Sequence, residues 1–485
     1  MDKFNPRPID ADILAQEESY EFTWPDKRKA ILKANSPIVA ALRPCREESV
    51  NFDKTENLYI EGDNLGGLKL LRETYLGHIR FIYIDPPYNT GHDFLYKDNF
   101  SKKRTEFLKQ DHQYKKDEKR MVRQSSKNGR FHTDWLNMIY PRLRVARDLM
   151  TDDGVIFISI GDGELAQLRM ICDEIFGEGN FLALVPRVAK RTSDKGTHFK
   201  PTKDYLLCMA KNISLVPEFG IPKGRSEEDY CLIDEDGRRY RKSGASLYQP
   251  SLDSRPNQRY YIKAPDGSLI IPPGNVFPEE KEDAAAVKPK SNVDKVWRWS
   301  VKSYLKQKDR LIFTKGSAQN PLLDENGRQS KWNIYPKVYL EEDIAATLHP
   351  EDIIYNYPNS QAAKELNSLR IPFDFAKPSA LIRFLLNLIN DKEMTVLDFF
   401  AGSSTTAHAV MQLNAEDGGK RKFIMVQIPE LCAPDSEAGK MGYINICEIG
   451  KERIRRAGRK IIDENPLDRA ELDIGFRVLK LDSGN

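Results

Sequence analysis

Apolar and polar residues follow two different periods along this chain, and each period is typical of one kind of element. Short runs of apolar and β-branched residues predict strands at 58–64 (ending in a polar turn), 80–84, 154–160, 394–399 and 422–428, of which 80–84 is typical of a buried parallel strand and 154–160 of a buried strand. Apolar residues recurring every three or four positions predict helices at 65–75, 135–150, 164–176, 379–389 and from the turn at 400–406 to about 413. Strands alternating with helices in this way predict an α/β domain on a parallel sheet.

This α/β pattern is interrupted between residues 186 and 345. The stretch contains short aromatic-rich segments, Pro and Gly turns, and basic clusters such as 238–242 and 297–300. We therefore predict a separate, mixed β-rich domain inserted between two halves of the α/β domain, at 55–185 and 346–485. Residues 1–54 are expected to form a polar N-terminal extension with helical patches. A basic helix at 446–462 is expected to lie on the surface.

Composition limits the class of protein. Hydrophobic residues at 40% and charged residues at 30% are typical of a soluble globular chain. The formal charge of +3 is too small to argue for nucleic acid, so only local patches can do so. The six cysteines form no C-x-x-C pair and the seven histidines no H-E-x-x-H motif, which predicts reduced thiols and no metal site. Without an apolar signal core or an 18-residue apolar run, we expect a cytoplasmic protein that makes no membrane contact.

The most informative stretch is 84–90, Ile-Asp-Pro-Pro-Tyr-Asn-Thr, at the end of the predicted strand 80–84. A strand cannot continue through Pro86 and Pro87, because proline donates no N–H, and Asp85 is held extended by the proline after it. The result is a stiff corner at a strand's carboxyl end, where open α/β sheets bind ligands. A carboxylate, backbone carbonyls and the Tyr88 ring can grip a planar base by its amino group. The alternative is a plain strand-to-turn boundary with Tyr88 as packing.

A second corner lies at 397–406, where a strand, a tight turn and a helix follow one another. It lacks the glycine pattern that closes on a pyrophosphate, which favours a cofactor without phosphates. S-adenosylmethionine is such a cofactor, since Asp398 can complement its cationic end and the helix start near Ser404 and Thr405 its carboxylate. Phe400 can pack on it. The alternative is an ordinary βα turn capped by Ser or Thr.

Two basic regions suggest contact with nucleic acid. Residues 101–130 hold eleven lysines and arginines against four acids, which suits a clamp on a phosphate backbone or, alternatively, a solvated surface loop. The inserted domain interleaves basic with aromatic residues, as contact with bases and phosphates requires. There the alternative is a β-rich insertion whose aromatics form its own core.

These motifs resemble those of a known family. Asp85-Pro86-Pro87-Tyr88 resembles the catalytic motif of amino-group DNA methyltransferases, and Asp398 to Thr406 resembles their cofactor motif. The catalytic motif comes first, which is similar to the β-class arrangement. Further similarity lies at 62–64, 88–91, 128–135, 377–378 and 426–430. Together these segments resemble the modification subunit of Type III restriction–modification systems.

The resemblance implies a Rossmann-like S-adenosylmethionine-dependent methyltransferase sheet with helices on both faces, permuted motif order and a target-recognition domain at 186–345. It implies methylation of the exocyclic amine of a flipped adenine, with Asp85, Pro86, Pro87 and Tyr88 as catalytic residues. It also implies double-stranded DNA as partner, a homodimer, and a restriction helicase–nuclease subunit. The cofactor-binding residues would be Asp63, Lys377, Asp398, Phe400, Ala401, Gly402, Ser403, Ser404, Thr405, Gln427 and Glu430.

Two departures and several alternatives accompany this interpretation. Ser404 stands where the family usually has glycine, which predicts a tighter turn or altered cofactor affinity. The chain is also shorter than many such subunits, which bears on the surfaces for a restriction partner. The acid at position 85 favours adenine, but methylation of cytosine's amine or of an RNA base remains an alternative. A DNA-reading subunit without catalysis is another.

Overall fold

The computed structural model describes residues 21–90, 130–192, 196, 198–222, 227–250, 255–344, 347–464 and 472–483. The chain divides into two compact units. The first unit comprises residues 1–219 and 350–485, and the second comprises residues 220–349. The basic stretch 101–130 lies outside the described residues except for its last position.

The strands of the described ranges are β1 (Ala40–Val50), β2 (Leu58–Glu61), β3 (Ile79–Ile84), β4 (Met150–Ile160), β5 (Phe181–Val188), β6 (Lys203–Ala210), β7 (Ile221–Pro222), β8 (Leu232–Ile233), β9 (Arg239–Lys242), β10 (Ile262–Lys263), β11 (Leu269–Ile271), β12 (Leu311–Lys315), β13 (Leu323–Asp324), β14 (Trp332–Tyr339), β15 (Thr347–Leu348), β16 (Thr395–Asp398), β17 (Lys422–Gln427) and β18 (Phe476–Ser483). The helices are α1 (Lys27–Asn35), α2 (Asn64–Tyr75), α3 (Arg130–Leu149), α4 (Leu165–Phe176), α5 (Val301–Gln307), α6 (Leu340–Ile344), α7 (Asn359–Leu369), α8 (Ser379–Ile389), α9 (Thr405–Asp417), α10 (Glu437–Lys440) and α11 (Ile446–Glu464).

One mixed sheet organises the first unit, with strand order β1-β18-β2-β17-β16-β3-β4-β6-β5. The six strands from β18 to β4 run parallel. At the two edges β1 and β6 run antiparallel to them, and β5 pairs antiparallel with β6. From β3 the chain continues to β4 on one side, whereas from β16 it continues to β17 on the other. The gap between β16 and β3 is therefore the switch point at which such sheets bind ligands.

The sheet is buried because apolar residues point to both of its faces. On β3, Ile82 and Ile84 are fully buried in the core formed with α2, α3 and α4, including Trp135 of α3. Their neighbours Phe81 and Tyr83 are equally buried and point to the opposite face by the alternation of a strand. A strand buried on both faces has the continuous apolar sequence typical of parallel sheets. The predicted α/β fold with helices on both faces is thereby confirmed.

The predicted strands and helices of the first unit occur within a few residues of their expected bounds, with three differences. Residues 40–50 form the edge strand β1, although their polar sequence indicated only an extension with helical patches. The helix α11 is buried more deeply than expected, since its basic residues Lys451 and Arg453 are buried together with its apolar face. The second unit begins at Gly220 and ends at His349, not at 186 and 345, because the hairpin of β5 and β6 continues the main sheet.

The second unit is rich in short antiparallel strands, as the sequence predicted. Its four-stranded sheet has the order β12-β14-β9-β8, and a three-stranded sheet has the order β10-β11-β13. Trp297, Tyr260 and Ile334 are fully buried in its core, so part of its aromatic content serves packing. In neither unit do the described ranges contain a helix long and apolar enough to cross a membrane.

A buried arginine fastens α11 to the rest of the first unit. Arg453 has no exposed surface, and its guanidinium donates to Ser403 Oγ and Thr405 Oγ1 at 2.7 Å each. It also donates to the Glu365 carboxylate of α7 at 3.0 Å. Burial lowers the pKa of Arg453 to about 10, so the side chain is still charged at neutral pH. One side chain thus joins α11, α7 and the turn before α9.

Replacing this arginine tests the network. We expect Arg453→Ala to lower the free energy of unfolding by about 3–5 kcal/mol, because it leaves the Glu365 carboxylate without its buried partner. Arg459→Ala is the control, since Arg459 lies on the same helix with a side chain 68% exposed, and we expect it to change stability by less than about 0.5 kcal/mol. Urea unfolding followed by circular dichroism measures both. Equal losses in the two variants would contradict the assigned role of Arg453.

Candidate active site

The two sequence corners meet at the carboxyl edge of the sheet. Strands β3 and β16 pair in parallel, with Phe81 opposite Val396 and Ile82 opposite Leu397. Asp85 follows β3 directly and Asp398 ends β16, so the two corners are neighbours. The loops after β2, β17 and β4 open at the same edge, because these strands run parallel to β3. The geometry brings together the segments at 63, 85–88, 398–405 and 427–430.

At the first corner, which follows β3, a lysine forms an ion pair with the Asp85 carboxylate. Lys377 Nζ lies 2.6 Å from both carboxylate oxygens of Asp85 and 2.9 Å from the hydroxyl of Tyr88. The lysine side chain is only 7% exposed and that of Asp85 25%. The sequence resemblance placed Lys377 in the cofactor pocket, whereas in the structure its ammonium contacts Asp85 and Tyr88.

The backbone of this corner is held from α3 and α4. The Pro87 carbonyl accepts a hydrogen bond from Trp135 Nε1 at 2.8 Å. Asn89 adopts a left-handed conformation, with φ of 54°, and donates to the Phe131 carbonyl at 2.9 Å and to the buried Glu164 carboxylate. A β-carbon on Gly161 would lie 3.0 Å from the Tyr88 ring, so glycine at that position lets the ring approach β4.

A buried ion pair lies behind Tyr88, and the sequence analysis missed it. Arg187 of β5 donates to Asp204 of β6 through Nε at 2.7 Å and through Nη2 at 2.5 Å. The Tyr88 hydroxyl lies 3.4 Å from Asp204, and Lys377 Nζ lies 3.9 Å from it. Burial, followed by the negative charge of Asp85, raises the pKa of Tyr88 well above its ordinary value, so its phenol stays protonated. Four charges of alternating sign therefore run from Arg187 to Asp85.

The second corner is held by its own carboxylate. Asp398 is buried and accepts hydrogen bonds from the Phe400 N–H at 3.1 Å and from Thr406 Oγ1 at 2.6 Å. Burial raises the pKa of Asp398 to about 7, and the neighbouring Asp85 adds to the rise. The sequence analysis expected this carboxylate to complement a cationic cofactor. In the structure the carboxylate points toward its own loop, where both of its oxygens accept hydrogen bonds.

The turn between β16 and α9 depends on two left-handed residues. Gly402 has φ of 51° and Ser404 has φ of 63°, a conformation that glycine adopts readily and other residues at a cost of about 1–2 kcal/mol. Serine at position 404 therefore carries a conformational cost that glycine would not. The turn keeps its shape here, with the Gly402 N–H donating to Gln427 Oε1 at 2.7 Å.

The remaining candidate residues surround this turn. Phe400 and Ala401 are buried, and the hydroxyls of Ser403 and Thr405 bind Arg453. Asp63 caps α2 through the Gly66 N–H at 2.9 Å and binds the buried Arg142 at 2.9 Å. Glu430 is half-buried, and desolvation raises the pKa of its carboxylate. Within the described ranges, Glu430 forms no side-chain hydrogen bond or ion pair, so it is available to a ligand.

Sequence reasoning missed Arg187, Asp204, Arg142 and Arg453. Each is a charged residue with a partner far away in sequence, so neither spacing nor periodicity indicates its role. Asp204 gave one weak signal, since it stands just before the apolar run 205–210. Among the described residues, no group of three or more His, Cys, Asp or Glu side chains is placed to hold a metal ion.

Comparisons with known proteins identify proteins that are similar to this chain. A family model described as DNA methylase (N6_N4_Mtase) matches residues 79–459. The Mod subunit of the Type III restriction-modification enzyme EcoPI, from Escherichia phage P1, is 34% identical over an alignment of 491 positions, which covers 97% of this chain and 72% of the relative. The EcoP15I Mod subunit of Escherichia coli is 31% identical over an alignment of 502 positions, which covers 97% of this chain and 72% of that relative. A crystal structure described as a DNA modification methylase of Thermus thermophilus complexed with S-adenosyl-L-methionine covers 87% of this chain and 99% of its own, with TM-score 0.35 and 12% identity.

The raised pKa of Asp398 predicts a specific pH dependence of stability. Its folded-state value of about 7 exceeds the ordinary value of 3.8, so the folded state binds this proton more tightly. The stabilisation is complete at low pH and is lost as pH rises from about 4 to about 7. We expect Asp398→Asn, which mimics the protonated form, to gain stability relative to the parent chain across that window. Urea unfolding from pH 4 to 8 measures it, with Glu393→Gln at an exposed position as control. A constant difference across the window would contradict the assignment.

Proposed function

The chain belongs to the N6/N4 DNA methylase family, and on this premise we propose that it methylates the exocyclic amine of an adenine in double-stranded DNA, as the modification subunit of a Type III restriction–modification system. The observation that carries the proposal is the pairing of β3 with β16, which sets Asp85 beside the turn at 399–404. The order of the two motifs and the similarity to two Type III Mod subunits over 97% of this chain support it.

The residues of the second corner suit S-adenosylmethionine. Its sulfonium carries the methyl group that the reaction transfers. The half-buried Glu430 carboxylate suits a hydroxyl or ammonium group, and the corner has no glycine-rich phosphate loop. We propose that Asp63, Phe400, Ala401, Gly402, Gln427 and Glu430 contact the cofactor. Asp398, Ser403, Ser404 and Thr405 hold the shape of the turn, since their side chains or backbone are engaged there.

The first corner would activate the base. Adenine's amine is a weak nucleophile because its lone pair is delocalised into the ring. Asp85 and the Pro86 carbonyl accept its two N–H groups and draw the nitrogen toward tetrahedral geometry, which frees the lone pair. The Tyr88 ring stacks on the base, worth about 1–3 kcal/mol, and this offsets part of the few kcal/mol needed to flip it from the duplex. The negative charge of Asp85 favours the positive charge that develops on nitrogen.

The second unit would recognise the target sequence. On its four-stranded sheet Lys337 lies opposite Lys242, with Tyr240 and Tyr335 on the same face. The opposite face carries the buried Ile334. Lys242 Nζ lies 4.4 Å from the Tyr335 ring centroid, and Lys337 Nζ lies 4.9 Å from that of Tyr240. We name these four residues the tyrosine–lysine face and propose that it contacts DNA, since ammonium groups bind phosphates and phenol rings contact bases.

Three further proposals follow from the family. As a modification subunit, the chain would form a homodimer and would bind a restriction helicase–nuclease subunit. It would act in the cytoplasm, where its DNA substrate lies. Each rests on the similarity to the Type III Mod subunits.

The test of function is to map modified bases in DNA from cells that express this chain alone. We expect N6-methyladenine at one sequence motif, identified by nucleoside mass spectrometry and located by sequencing. N4-methylcytosine in its place, or methylation of RNA only, would overturn the adenine assignment. An unmodified genome together with no binding of S-adenosylmethionine by calorimetry would identify a DNA-reading subunit without catalysis.

The role of Asp85 has its own test. We expect Asp85→Ala to lower the methylation rate at least about 100-fold, because the amine loses both an acceptor and a stabilising charge. DNA affinity should change by less than about twofold, since the carboxylate carries none of the phosphate contacts. Transfer of a radiolabelled methyl group to DNA measures the rate, and anisotropy the affinity. Asp152→Asn, at a side chain 76% exposed, is the control. A normal rate in Asp85→Ala would refute the mechanism.

The tyrosine–lysine face is tested through its salt dependence. We expect the double variant Lys242→Ala, Lys337→Ala to bind the mapped DNA more weakly and to lower the slope of log affinity against log salt by about two, one per lost phosphate contact. The matched control is Lys302→Ala, Lys306→Ala, which removes the same charge from exposed positions of α5. Equal effects in both pairs would show that only net charge matters, contrary to the proposal.

A further inference from the structure

The ion pair between Lys377 and Asp85 uses all the donors of the lysine. An ammonium group has three N–H bonds, and here they are directed at Asp85 Oδ1, Asp85 Oδ2 and the Tyr88 hydroxyl. The lysine is 7% exposed, so little solvent competes for it. The catalytic carboxylate therefore already has an N–H donor on each of its oxygens.

This contact opposes the proposed reaction in two ways. An adenine amine needs Asp85 as an acceptor, and it would have to share both oxygens with the ammonium, which already donates to each of them. The amine nitrogen also becomes positively charged as it takes the methyl group, and a cation bound to the same carboxylate raises the energy of that charge. The ion pair therefore disfavours both capture of the amine and transfer of the methyl group.

A second acceptor for the lysine lies close by. The Asp204 carboxylate is 3.9 Å from Lys377 Nζ, and the Tyr88 ring centroid is 5.0 Å from it. Asp204 is fixed by Arg187, which is itself held by the Tyr357 carbonyl at 2.7 Å and by Asn359 Oδ1 at 2.9 Å. A carboxylate has about four lone-pair sites, so Asp204 can accept from Lys377 while it keeps Arg187. The flexible four-carbon stem of lysine allows movement over such a short distance.

We propose that Lys377 is a displaceable counter-ion that competes with the adenine amine for Asp85 and transfers to Asp204 when the base enters. The inference rests on the proposed function and names a residue that regulates its first step. In the empty site the lysine stabilises a desolvated carboxylate. Base capture then requires the amine to replace it, so a purine that lacks the amine leaves the ion pair closed.

The experiment compares two duplexes that carry the mapped site and differ only at the target purine. One has deoxyadenosine and the other has 2′-deoxynebularine, which lacks the 6-amino group. The preference is the ratio of the two dissociation constants, measured by anisotropy at one fixed concentration of S-adenosylhomocysteine. Loss of a positive charge weakens binding to both duplexes equally, so the ratio isolates the amine.

We expect Lys377→Met to raise the preference for adenine about tenfold, because the amine no longer has to displace a charged donor. Lys377→Gln, which donates without charge, should give an intermediate ratio, and Lys377→Arg should give a ratio no higher than the parent chain. Lys364→Met, at an exposed position of α7, should leave the ratio unchanged. Thermal unfolding confirms that each variant is folded. If the methionine variant does not fold, the glutamine variant shows whether the preference for adenine rises or falls.

An unchanged or lower preference for adenine in the Met and Gln variants would overturn the inference. That result is expected if Lys377 only orients Asp85, because removing the lysine would then weaken capture of the base. This outcome is distinct from failure of the proposed function. If the proposed function failed, the parent chain would produce no N6-methyladenine. If only the inference about Lys377 failed, the parent chain would methylate adenine normally, but the ratio of dissociation constants would not rise in the variants.

Discussion

The pairing of β3 with β16 is the constraint on which the site depends. These strands come from distant parts of the sequence, yet they lie side by side with Ile82 opposite Leu397. Each of the two strands also pairs with a second neighbour, β3 with β4 and β16 with β17, so their alignment is held from both sides of the sheet. The sheet therefore positions both Asp85, which follows β3, and the turn at 399–404, which follows β16.

Four charged groups at this edge each have a neighbour of opposite sign. Arg187, Asp204, Lys377 and Asp85 alternate in sign, and three of these side chains are less than 10% exposed. Such a chain tolerates the movement of one member, because a neighbour of suitable sign remains within reach. An isolated buried carboxylate would have no such alternative, and its charged form would be strongly disfavoured.

The sequence predicted the parts of the fold that rest on local pattern. The apolar run of β3 and the prolines after Asp85 could be interpreted directly, as could the turn at Gly402. The edge strand β1 could not, because a polar strand at a sheet edge lacks the apolar alternation that marks a buried one. Nor could Asp204, since its role comes from antiparallel pairing of β5 with β6, which the sequence does not encode by spacing. The role of Arg453 could not be predicted either, because it lies in a helix rich in basic residues, a composition that indicates exposure to solvent.

The two halves of the site are also joined below the surface, through Glu365. This carboxylate accepts from Arg453, which holds the turn at Ser403 and Thr405, and from the backbone N–H of Ser379 at 3.2 Å. Ser379 begins α8 and stands two residues after Lys377, with Pro378 stiffening the link between them. The backbone that carries Lys377 is therefore tied to the network that shapes the turn. Any change of partner by Lys377 must come from its side chain, whose four-carbon stem can move without disturbing the turn.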